Sequence, residues 1–300
     1  MKNILITGAT GLIGSKLIPL LLEKEYSVSI VSRSAKNISK VKTYVWDIAK
    51  NELPQEAIDE ADCIVHLAGA NVGSQRWTEK RKQEIIDSRV KSGDLLLSRI
   101  KESKSQPASF ITASAVGYYG LETSEKIFNE KDLAAHDFFG RVGKAWEDVL
   151  VNTNDLGIRS VALRIGVVLA KEDGALPKMS MPLKFGFGTP IGNGKQYIPW
   201  IHVDDIVSIF LKAIEDDSIA GAYNAAAPEH VNNTQFMKKL CQVKKRLFIP
   251  IGAPAFLLKL VLGKMANIVL KGSRVSSDKI LNAGFEFQFP ALESALTDLS

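Results

Sequence analysis

Three glycines near the start of the chain are spaced as Gly8-x-x-Gly11-x-x-Gly14, between an apolar run and a helical stripe. Glycine suits such a turn because a positive φ is needed and because a phosphate must approach the backbone closely. The first N–H groups of the helix then offer partial positive charge to a pyrophosphate. A purely structural turn is the alternative. The residues expected to hold the dinucleotide are Gly8, Thr10, Gly11, Leu12, Ile13 and Gly14.

The residues after the second apolar run indicate which dinucleotide is preferred. An acidic side chain here would bind the ribose 2′-hydroxyl of NAD, but this chain has Ser32, Arg33 and Ser34. An arginine beside hydroxyl groups suits a 2′-phosphate, because the guanidinium pairs with phosphate oxygens. We therefore expect NADP(H) to be favoured over NAD(H), with Arg33 and Ser34 at the cofactor. The alternative is that Arg33 is a solvated surface residue.

Further positions at strand ends could contact the same cofactor. Asp47 follows the third apolar run and could accept a hydrogen bond from the adenine amine. Ala68 and Gly69 follow the fourth run, where small residues would let the cofactor lie across the strand ends. We therefore add these three residues to the expected cofactor site.

These positions require a sheet whose strands end at one edge. Short apolar runs that alternate with helical patterns predict an α/β fold with a doubly wound parallel (Rossmann) sheet. Helices are predicted over residues 78–102, 138–151 and 203–215, and one long strand over 158–169. The pattern changes after Ala170. We predict a Rossmann domain over 1–170 and a smaller substrate or C-terminal domain over 171–300, with residues 201–227 returning to the first.

The composition narrows the class of protein. The 300 residues include only two cysteines, Cys63 and Cys241, and four scattered histidines. No C-x-x-C or H-E-x-x-H spacing occurs, so we expect a reduced, cytoplasmic protein without a metal site. The longest uncharged run near the C-terminus, Leu247–Leu258, has 12 residues and contains two prolines. A membrane span needs about 18 apolar residues, so none is expected.

Positive charge is concentrated in one segment. The net charge is +5, but residues 241–280 alone hold eight Lys/Arg and one acid. Nucleic-acid binding is not expected, because no reader motif accompanies this segment. Residues 250–272 predict an apolar helix with Lys259 and Lys264 on one side. A lid or packing helix is the default interpretation, and a dimer surface or a membrane-surface helix are the alternatives.

Together these features resemble the extended short-chain dehydrogenase/reductase superfamily. The motifs that carry the resemblance are TGATGLIG at 7–14, HLAG at 66–69, LRIGVVL at 163–169, WIHVDD at 200–205 and YNAAAP at 223–228. The chain is more closely similar to an atypical epimerase-like family labelled nucleoside-diphosphate-sugar epimerases. RWT at 76–78, IIDSRV at 85–90, ASAVGYYG at 113–120 and DFF…WE at 137–147 support that. Residues 274–290 resemble the family's small C-terminal domain of unknown function.

The resemblance implies a catalytic Ser, Tyr and Lys, the last two as Tyr-x-x-x-Lys. Ser114 matches the serine, and Lys144 falls at the lysine, where it would also hold the nicotinamide ribose. The tyrosine position is Gly140, which cannot transfer a proton. Tyr118 and Tyr119 lie on the loop after Ser114, so either could supply the proton with Lys144 tuning it. Alternatively, both tyrosines only pack against the loop or the cofactor.

Substrate contacts are expected in the cleft beside these groups. Arg76 and Trp77 follow the fourth strand, and Gln196 lies in a loop that resembles a pocket-lining loop of extended members. The function so implied is an NADP(H)-binding, epimerase-like oxidoreductase acting on a sugar nucleotide or a small carbonyl, as a monomer or homodimer. The alternative is a non-catalytic NADP(H)-binding sensor or regulatory protein, since some relatives are labelled cell-division inhibitors.

Overall fold

A computed structural model describes residues 2–300, except for the side chains at positions 257, 259, 261, 262 and 264. The strands are β1 (Asn3–Thr7), β2 (Ser27–Ser32), β3 (Val41–Val45), β4 (Cys63–His66), β5 (Ser109–Ala115), β6 (Ile127–Phe128), β7 (Arg159–Ile165), β8 (Val167–Leu169), β9 (Phe187–Gly188), β10 (Tyr197–Ile198), β11 (Trp200–His202), β12 (Gly221–Ala225), β13 (Val231–Asn232), β14 (Leu247–Phe248) and β15 (Arg274–Val275).

Helices lie between most of the longer strands. They are α1 (Leu12–Glu23), α2 (Glu56–Asp59), α3 (Glu79–Glu102), α4 (Phe138–Asp155), α5 (Leu176–Met179), α6 (Val203–Glu215), α7 (Asn233–Val243), α8 (Ala255–Leu262), α9 (Asn267–Leu270), α10 (Asp278–Asn282) and α11 (Leu292–Asp298). Short 3₁₀ helices cover Val116–Tyr119, Met181–Phe185 and Gly263–Ala266.

The central sheet has seven parallel strands in the order β12-β7-β5-β4-β1-β2-β3. The chain moves outward in one direction from β1 to β3 and in the other from β4 to β12, so the order reverses between β1 and β4. Ligands of such sheets bind outside the carboxyl ends of the strands at this reversal. The sheet confirms the predicted doubly wound α/β fold.

Both faces of the sheet are covered, which explains why its central strands are largely apolar. In β1, Ile4 and Ile6 join a core formed with α1 and α6. Leu5 between them points to the opposite core, where α2, α3 and α4 pack. Successive strand residues alternate between faces, so a strand buried on both sides needs an unbroken apolar run.

The predicted strand over 158–169 is divided in the structure. Gly166 separates β7 from β8, and a Cβ at that position would lie 2.5 Å from the Pro199 carbonyl oxygen. β7 stays in the central sheet, whereas β8 pairs with β11. The chain then returns through α6, which packs on α1, to β12 at the sheet edge. Residues 203–225 are therefore part of the sheet layer.

A smaller lobe is built from the remaining C-terminal segments around Trp200, Phe236, Leu240, Leu292 and Leu296. The single helix predicted over 250–272 is three shorter pieces, because Pro254 precedes α8 and Gly263 adopts a φ of +59° after it. The predicted lysine face of Lys259 and Lys264 lies outside the described side chains. Among the helices of residues 2–300, none is both long and apolar enough to cross a membrane.

Candidate active site

The glycine turn connects β1 to α1 with backbone contacts that exclude side chains. Gly8 has a φ of +69°, and a Cβ there would lie 2.7 Å from the Leu67 carbonyl carbon. A Cβ on Gly14 would lie 2.6 Å from the Ala9 carbonyl oxygen. Gly11 begins α1 without a side-chain cap, so the first helical N–H groups can meet a ligand. Thr10 and Gly11 are exposed, and Leu12 and Ile13 are half-buried.

A buried histidine fixes the strands on which this turn rests. His66 at the end of β4 contacts the Thr7 hydroxyl at 2.7 Å and the Ser92 hydroxyl at 3.2 Å. Thr7 also accepts a hydrogen bond from the Ala68 N–H. Burial, with the nearby charge of Arg89, lowers the pKa of His66 to about 3. The ring is therefore neutral and structural.

The residues expected to select the cofactor lie beside this turn. Arg33 and Ser34 are exposed directly after β2. Asp47 is half-buried, and its Oδ1 accepts from the N–H groups of Ala49 and Lys50. Ala68 and Gly69 follow β4 at the point where the strand order reverses.

Arg89 of α3 is a charged residue that the motif analysis did not assign to the site. It is 6% exposed, and its guanidinium lies 3.0 Å from the position of a Cβ on Gly69 and 4.3 Å from the Trp146 ring. Nη1 donates to the carbonyls of Ala70 and Ile85, but the buried Nε has no partner. Burial, reinforced by Arg81, lowers the pKa of Arg89 to about 10.

A buried cation without a carboxylate partner is expensive, so Arg89 marks a place for an anionic or polar ligand. A signal existed in the sequence. Ile85, Arg89, Ser92 and Leu96 share one helical stripe, and the other three are buried or apolar. A charge within such a stripe indicates a buried contact.

A charged network occupies the carboxyl ends of β5 and β7. The Ser114 hydroxyl donates to Glu147 Oε1 at 2.6 Å. Arg164 donates from Nε and Nη2 to the two Glu147 oxygens, each at 2.8 Å. Burial alone would lower the pKa of Arg164, but its bonds and ion pair with Glu147 outweigh this and raise it. The same Glu147 side chain therefore contacts both Arg164 and Ser114.

The two candidate tyrosines differ in their surroundings. Tyr119 is 2% exposed; its hydroxyl accepts from Arg164 and donates to Asn224 Oδ1, both at 2.8 Å. Burial raises the pKa of Tyr119 to about 12 although Arg164 opposes this. Tyr118 is half-buried, and its ring stacks 3.5 Å from the Arg164 guanidinium. Tyr118 is thus the more accessible of the two.

The structure gives a steric reason for glycine at the tyrosine position. A Cβ on Gly140 would lie 2.0 Å from the Ala135 carbonyl oxygen, so no larger residue fits. Lys144, one turn later, is 63% exposed and pairs with Asp148 at 2.7 Å. This hydrogen bond and the charge of Asp148 raise the pKa of Lys144. Among the described residues, Lys144 has no hydrogen bond or ion pair with Ser114, Glu147 or Arg164, although its charge interacts with Tyr118.

Glu147 and Arg164 were missed because neither belongs to the expected Ser–Tyr–Lys set. Arg164 did leave a signal, since it is a charged residue in the apolar run of β7. Glu147 ends the DFF…WE motif at 137–147, but no role was assigned to it, because a glutamate in a helix is ordinarily solvated.

The three expected substrate residues have different contacts in the structure. Trp77 packs its ring against Phe138 and Phe139 and donates to the Val72 carbonyl. Arg76 is exposed and reaches toward the Leu260 carbonyl of α8 at 3.5 Å. Gln196 is 2% exposed and donates to the carbonyls of Ile191 and Val269. Trp77 therefore contacts residues of the sheet-bearing part of the chain, and Gln196 contacts residues of the smaller lobe.

One group among the described residues has side chains of the type and spacing that hold a metal ion. It consists of His202, Asp204 and Asp298. The His202 Nδ1 accepts from the Asp204 N–H, and its Nε2 lies 3.3 Å from Asp298 Oδ2. These contacts join α6 to α11, far along the chain from the glycine turn.

Comparison with known proteins shows the family to which the chain belongs. Residues 4–226 match the NAD dependent epimerase/dehydratase family, and residues 253–299 match a domain of unknown function, DUF1731. Epimerase family protein YfhF of Bacillus subtilis (strain 168) is 36% identical over 299 residues, which cover 99% of this chain and 97% of the relative.

Two solved structures are similar over nearly all of this chain. Human epimerase family protein SDR39U1 (isoform2), determined with NADPH, has a TM-score of 0.87 at 29% identity, covering 99% of this chain and 98% of that one. A nucleoside-diphosphate sugar epimerase from Corynebacterium glutamicum has a TM-score of 0.79 at 27% identity. The similarity covers 98% of this chain and 57% of that one.

The fold and the site thus define an epimerase-like, NAD(P)-binding Rossmann protein. The chain belongs to the NAD dependent epimerase/dehydratase family and carries the DUF1731 domain at its C-terminus. This confirms the resemblance inferred from the sequence motifs.

Proposed function

We propose that the protein is an NADP(H)-dependent oxidoreductase or epimerase that acts on a hydroxyl or carbonyl group of a sugar nucleotide or a small carbonyl compound. The observation that carries this proposal is the Ser114 hydroxyl, which donates to a charge-paired carboxylate, Glu147, at 2.6 Å. The hydroxyl lies at the carboxyl end of β5, two strands from the glycine turn. The comparisons give the sensor alternative no support.

The cofactor fits the residues present. Added Cβ atoms on Gly8 and Gly14 would collide with backbone, as the tight turn and the close helix–strand packing of a dinucleotide site require, and the exposed Gly11 between them would let a pyrophosphate approach. Arg33 and Ser34 would receive the 2′-phosphate, Asp47 the adenine, and Ala68 and Gly69 the dinucleotide where it crosses the strand ends. Arg89 would direct positive charge at the cofactor from below Gly69. When bound, the nicotinamide exchanges a hydride with the substrate carbon.

The chain's own residues then handle the proton. In the oxidation direction, the substrate hydroxyl gives its proton to Ser114 Oγ as Ser114 passes its own proton to Glu147 Oε1. Arg164 holds both Glu147 oxygens in place by hydrogen bonds, so Oε1 stays within reach of the Ser114 hydroxyl. Reduction reverses both transfers. General acid–base catalysis of this kind contributes about 10²- to 10⁴-fold to a rate.

The tyrosines and the lysine receive separate roles in this proposal. Tyr118 is the alternative proton donor, because its half-buried position leaves it accessible to a substrate. Tyr119 positions Arg164 through its hydroxyl. Lys144 would bind the nicotinamide ribose after exchanging its partner Asp148. The substrate would lie between the sheet edge and the smaller lobe, near Arg76, Trp77 and Gln196.

Direct titration with NADPH and NADH tests the cofactor assignment. Arg33→Asp should weaken NADPH binding by about 10- to 100-fold and leave NADH nearly unchanged, because a charge-assisted bond to phosphate is lost. Lys36→Asp is the matched control, since it makes the same charge change on an exposed residue of the same loop. Arg89→Met should weaken both cofactors. Equal loss of NADPH affinity in the Arg33 and Lys36 variants would contradict the assignment.

Nicotinamide absorbance across a panel of sugar nucleotides and carbonyl compounds tests the reaction. With an active substrate, Ser114→Ala and Glu147→Gln should lower kcat by about 10²-fold or more while cofactor affinity persists. Tyr118→Phe distinguishes the two proton routes. If it alone abolishes turnover, the proton passes through Tyr118. A panel that shows no turnover, with both cofactors bound, would count against an enzyme.

A further inference from the structure

The smaller lobe has a one-sided charge. Residues 174–203 and 230–277 contribute most of it, and together they contain twelve Lys/Arg and no Asp or Glu. We call these two segments the basic lobe. Some of its cations pair with acids from elsewhere, such as Lys239 with Glu293 and Arg274 with Glu125. The excess of cations in these two segments favours an anionic partner, although α11 of the same lobe adds Glu293 and Asp298.

The short ribbon of β9 and β14 has one face on the core and one face outside. On the inner side, a Cβ on Gly188 would lie 2.5 Å from Cys241 Sγ, within the lobe's core. One residue before Gly188 in β9, Phe187 is paired with Leu247 of β14. In-register residues of adjacent strands point to the same face. Phe187 is 39% exposed and Leu247 66% exposed, so the outer face is apolar.

The apolar character continues on both sides of this pair. Phe185, at the end of a 3₁₀ helix, is 79% exposed, and the Gly186 carbonyl after it accepts from the Leu247 N–H. Met181 and Ile251 are also exposed. We define the apolar ribbon as Met181, Phe185, Phe187, Leu247 and Ile251.

This concentration is unusual for the molecule. Seven of the twelve large apolar side chains that the described residues expose lie in the basic lobe: the five of the apolar ribbon and, on α8, Phe256 and Leu260. Single exposed apolar residues need no explanation, but a contiguous group bordered by charge marks an interaction surface.

Cations border the apolar ribbon directly. Lys184 precedes Phe185, and Lys245 and Arg246 precede Leu247; all three are exposed. The ion pairs found among the described residues involve other cations of the basic lobe, such as Lys239 and Arg274, and not these three. The mixture of Phe, Leu, Ile and Met with flanking Lys and Arg is typical of surfaces that insert shallowly into a bilayer interface. A second copy of this surface would be repelled by its equal charge.

We propose that the apolar ribbon, with Lys184, Lys245 and Arg246, docks the protein reversibly on an anionic lipid bilayer. The apolar side chains enter the headgroup boundary, and the cations meet lipid phosphates. This inference is independent of the proposed catalytic function, because it uses none of the cofactor or proton-handling residues.

Co-sedimentation of the full chain with vesicles tests the proposal. We expect binding to vesicles of mixed phosphatidylcholine and phosphatidylglycerol, and little binding to phosphatidylcholine alone. The triple variant Lys184→Gln, Lys245→Gln, Arg246→Gln should lower the partition coefficient about a hundredfold, since each cation near an anionic surface contributes about fivefold. The paired variant Phe185→Ser, Ile251→Ser should lower it at both low and high salt.

Matched controls remove the same charges and side chains elsewhere. The charge control is the triple variant Lys36→Gln, Lys101→Gln, Lys131→Gln, and the apolar control is Leu133→Ser. Both alter exposed residues outside the basic lobe. They should leave the partition coefficient within about twofold of wild type. Unchanged NADPH binding and thermal unfolding show that each variant is folded. The proposal is overturned if anionic vesicles do not bind the protein, if the control variants reduce binding equally, or if Phe185→Ser instead dissolves a dimer.

Discussion

The two ends of the sheet's carboxyl edge are formed by different groups, backbone at one end and charged side chains at the other. At β1 and β4, the glycine turn is defined by backbone contacts, and beneath it lies a neutral network of Thr7 and His66. At β5 and β7, the edge is defined by side chains that carry charge: Ser114, Glu147 and Arg164. The first end is shaped to receive a large ligand, and the second is equipped to move a proton.

The difference teaches how each end can vary. A site formed by the backbone depends on a few glycines close together in sequence, so one short segment of the chain is enough to recognise it. A side-chain network needs only that its groups meet in space. Here it contains no Tyr at position 140, and a carboxylate from α4 lies beside the serine instead.

The largest effect is expected from enlarging Gly140 at the second end. Gly140→Ala places a Cβ 2.0 Å from the Ala135 carbonyl oxygen, so the start of α4 must move. We expect the free energy of unfolding to fall by more than about 4 kcal/mol. Chemical denaturation measures it, with Gly73→Ala as the control, because that Cβ would meet only Asn71 Oδ1 at 3.7 Å. A stable Gly140→Ala variant would contradict the steric explanation.

Removing the charge of Glu147 should have the next largest effect. Glu147→Gln leaves Arg164, whose side chain is 4% exposed, without its anion. We expect a loss of about 3 kcal/mol in unfolding free energy, because an uncompensated cation remains buried. The double variant with Arg164→Met should recover part of this loss. If Glu147→Gln alone is neutral, the network is a weak surface pair and the comparison between the two ends fails.

The first end should respond to acid. Because burial depresses the pKa of His66 to about 3, the unfolded chain binds a proton near pH 6.5 that the folded chain excludes. His66 therefore favours folding above pH 6.5, and this contribution is lost as the pH falls toward 3. We expect wild type to lose about 1.4 kcal/mol more per pH unit than His66→Gln across this window. Identical slopes for wild type and His66→Gln would refute a neutral His66.

The smallest effect on stability is expected at Lys144. Its pair with Asp148 is exposed at 63% and 54%, so Lys144→Gln should change the unfolding free energy by at most about 0.5 kcal/mol. The stabilisation that NADPH adds should nevertheless decrease if Lys144 holds the nicotinamide ribose. Thermal unfolding with and without NADPH separates the two effects, and Asp148→Asn is the control. A large loss without cofactor would place Lys144 in the folded network.

Much of the first end could be predicted from the sequence. The Gly8–Gly14 spacing and the apolar runs at β1 and β4 indicated the turn and the parallel sheet, and the structure confirms the fold class. The division of β7 from β8 at Gly166 was not predicted, because the collision that requires glycine there comes from Pro199, over thirty residues away. The shortening of the helix over 250–272 was foreseeable at Pro254 but not at Gly263.

The sequence by itself determined the local features of this protein: the turn that needs glycine, the arginine after β2, and the absence of a tyrosine at position 140. Those features follow from bonded geometry and from periodicity, which act over a few residues. Only the tertiary structure decided that Glu147 meets Ser114 and Arg164, that Arg89 lies buried beneath Gly69, and that the apolar ribbon faces outward. Such contacts join segments 17 to 60 residues apart. Packing brings these segments together, because the burial of apolar surface does not depend on distance along the chain.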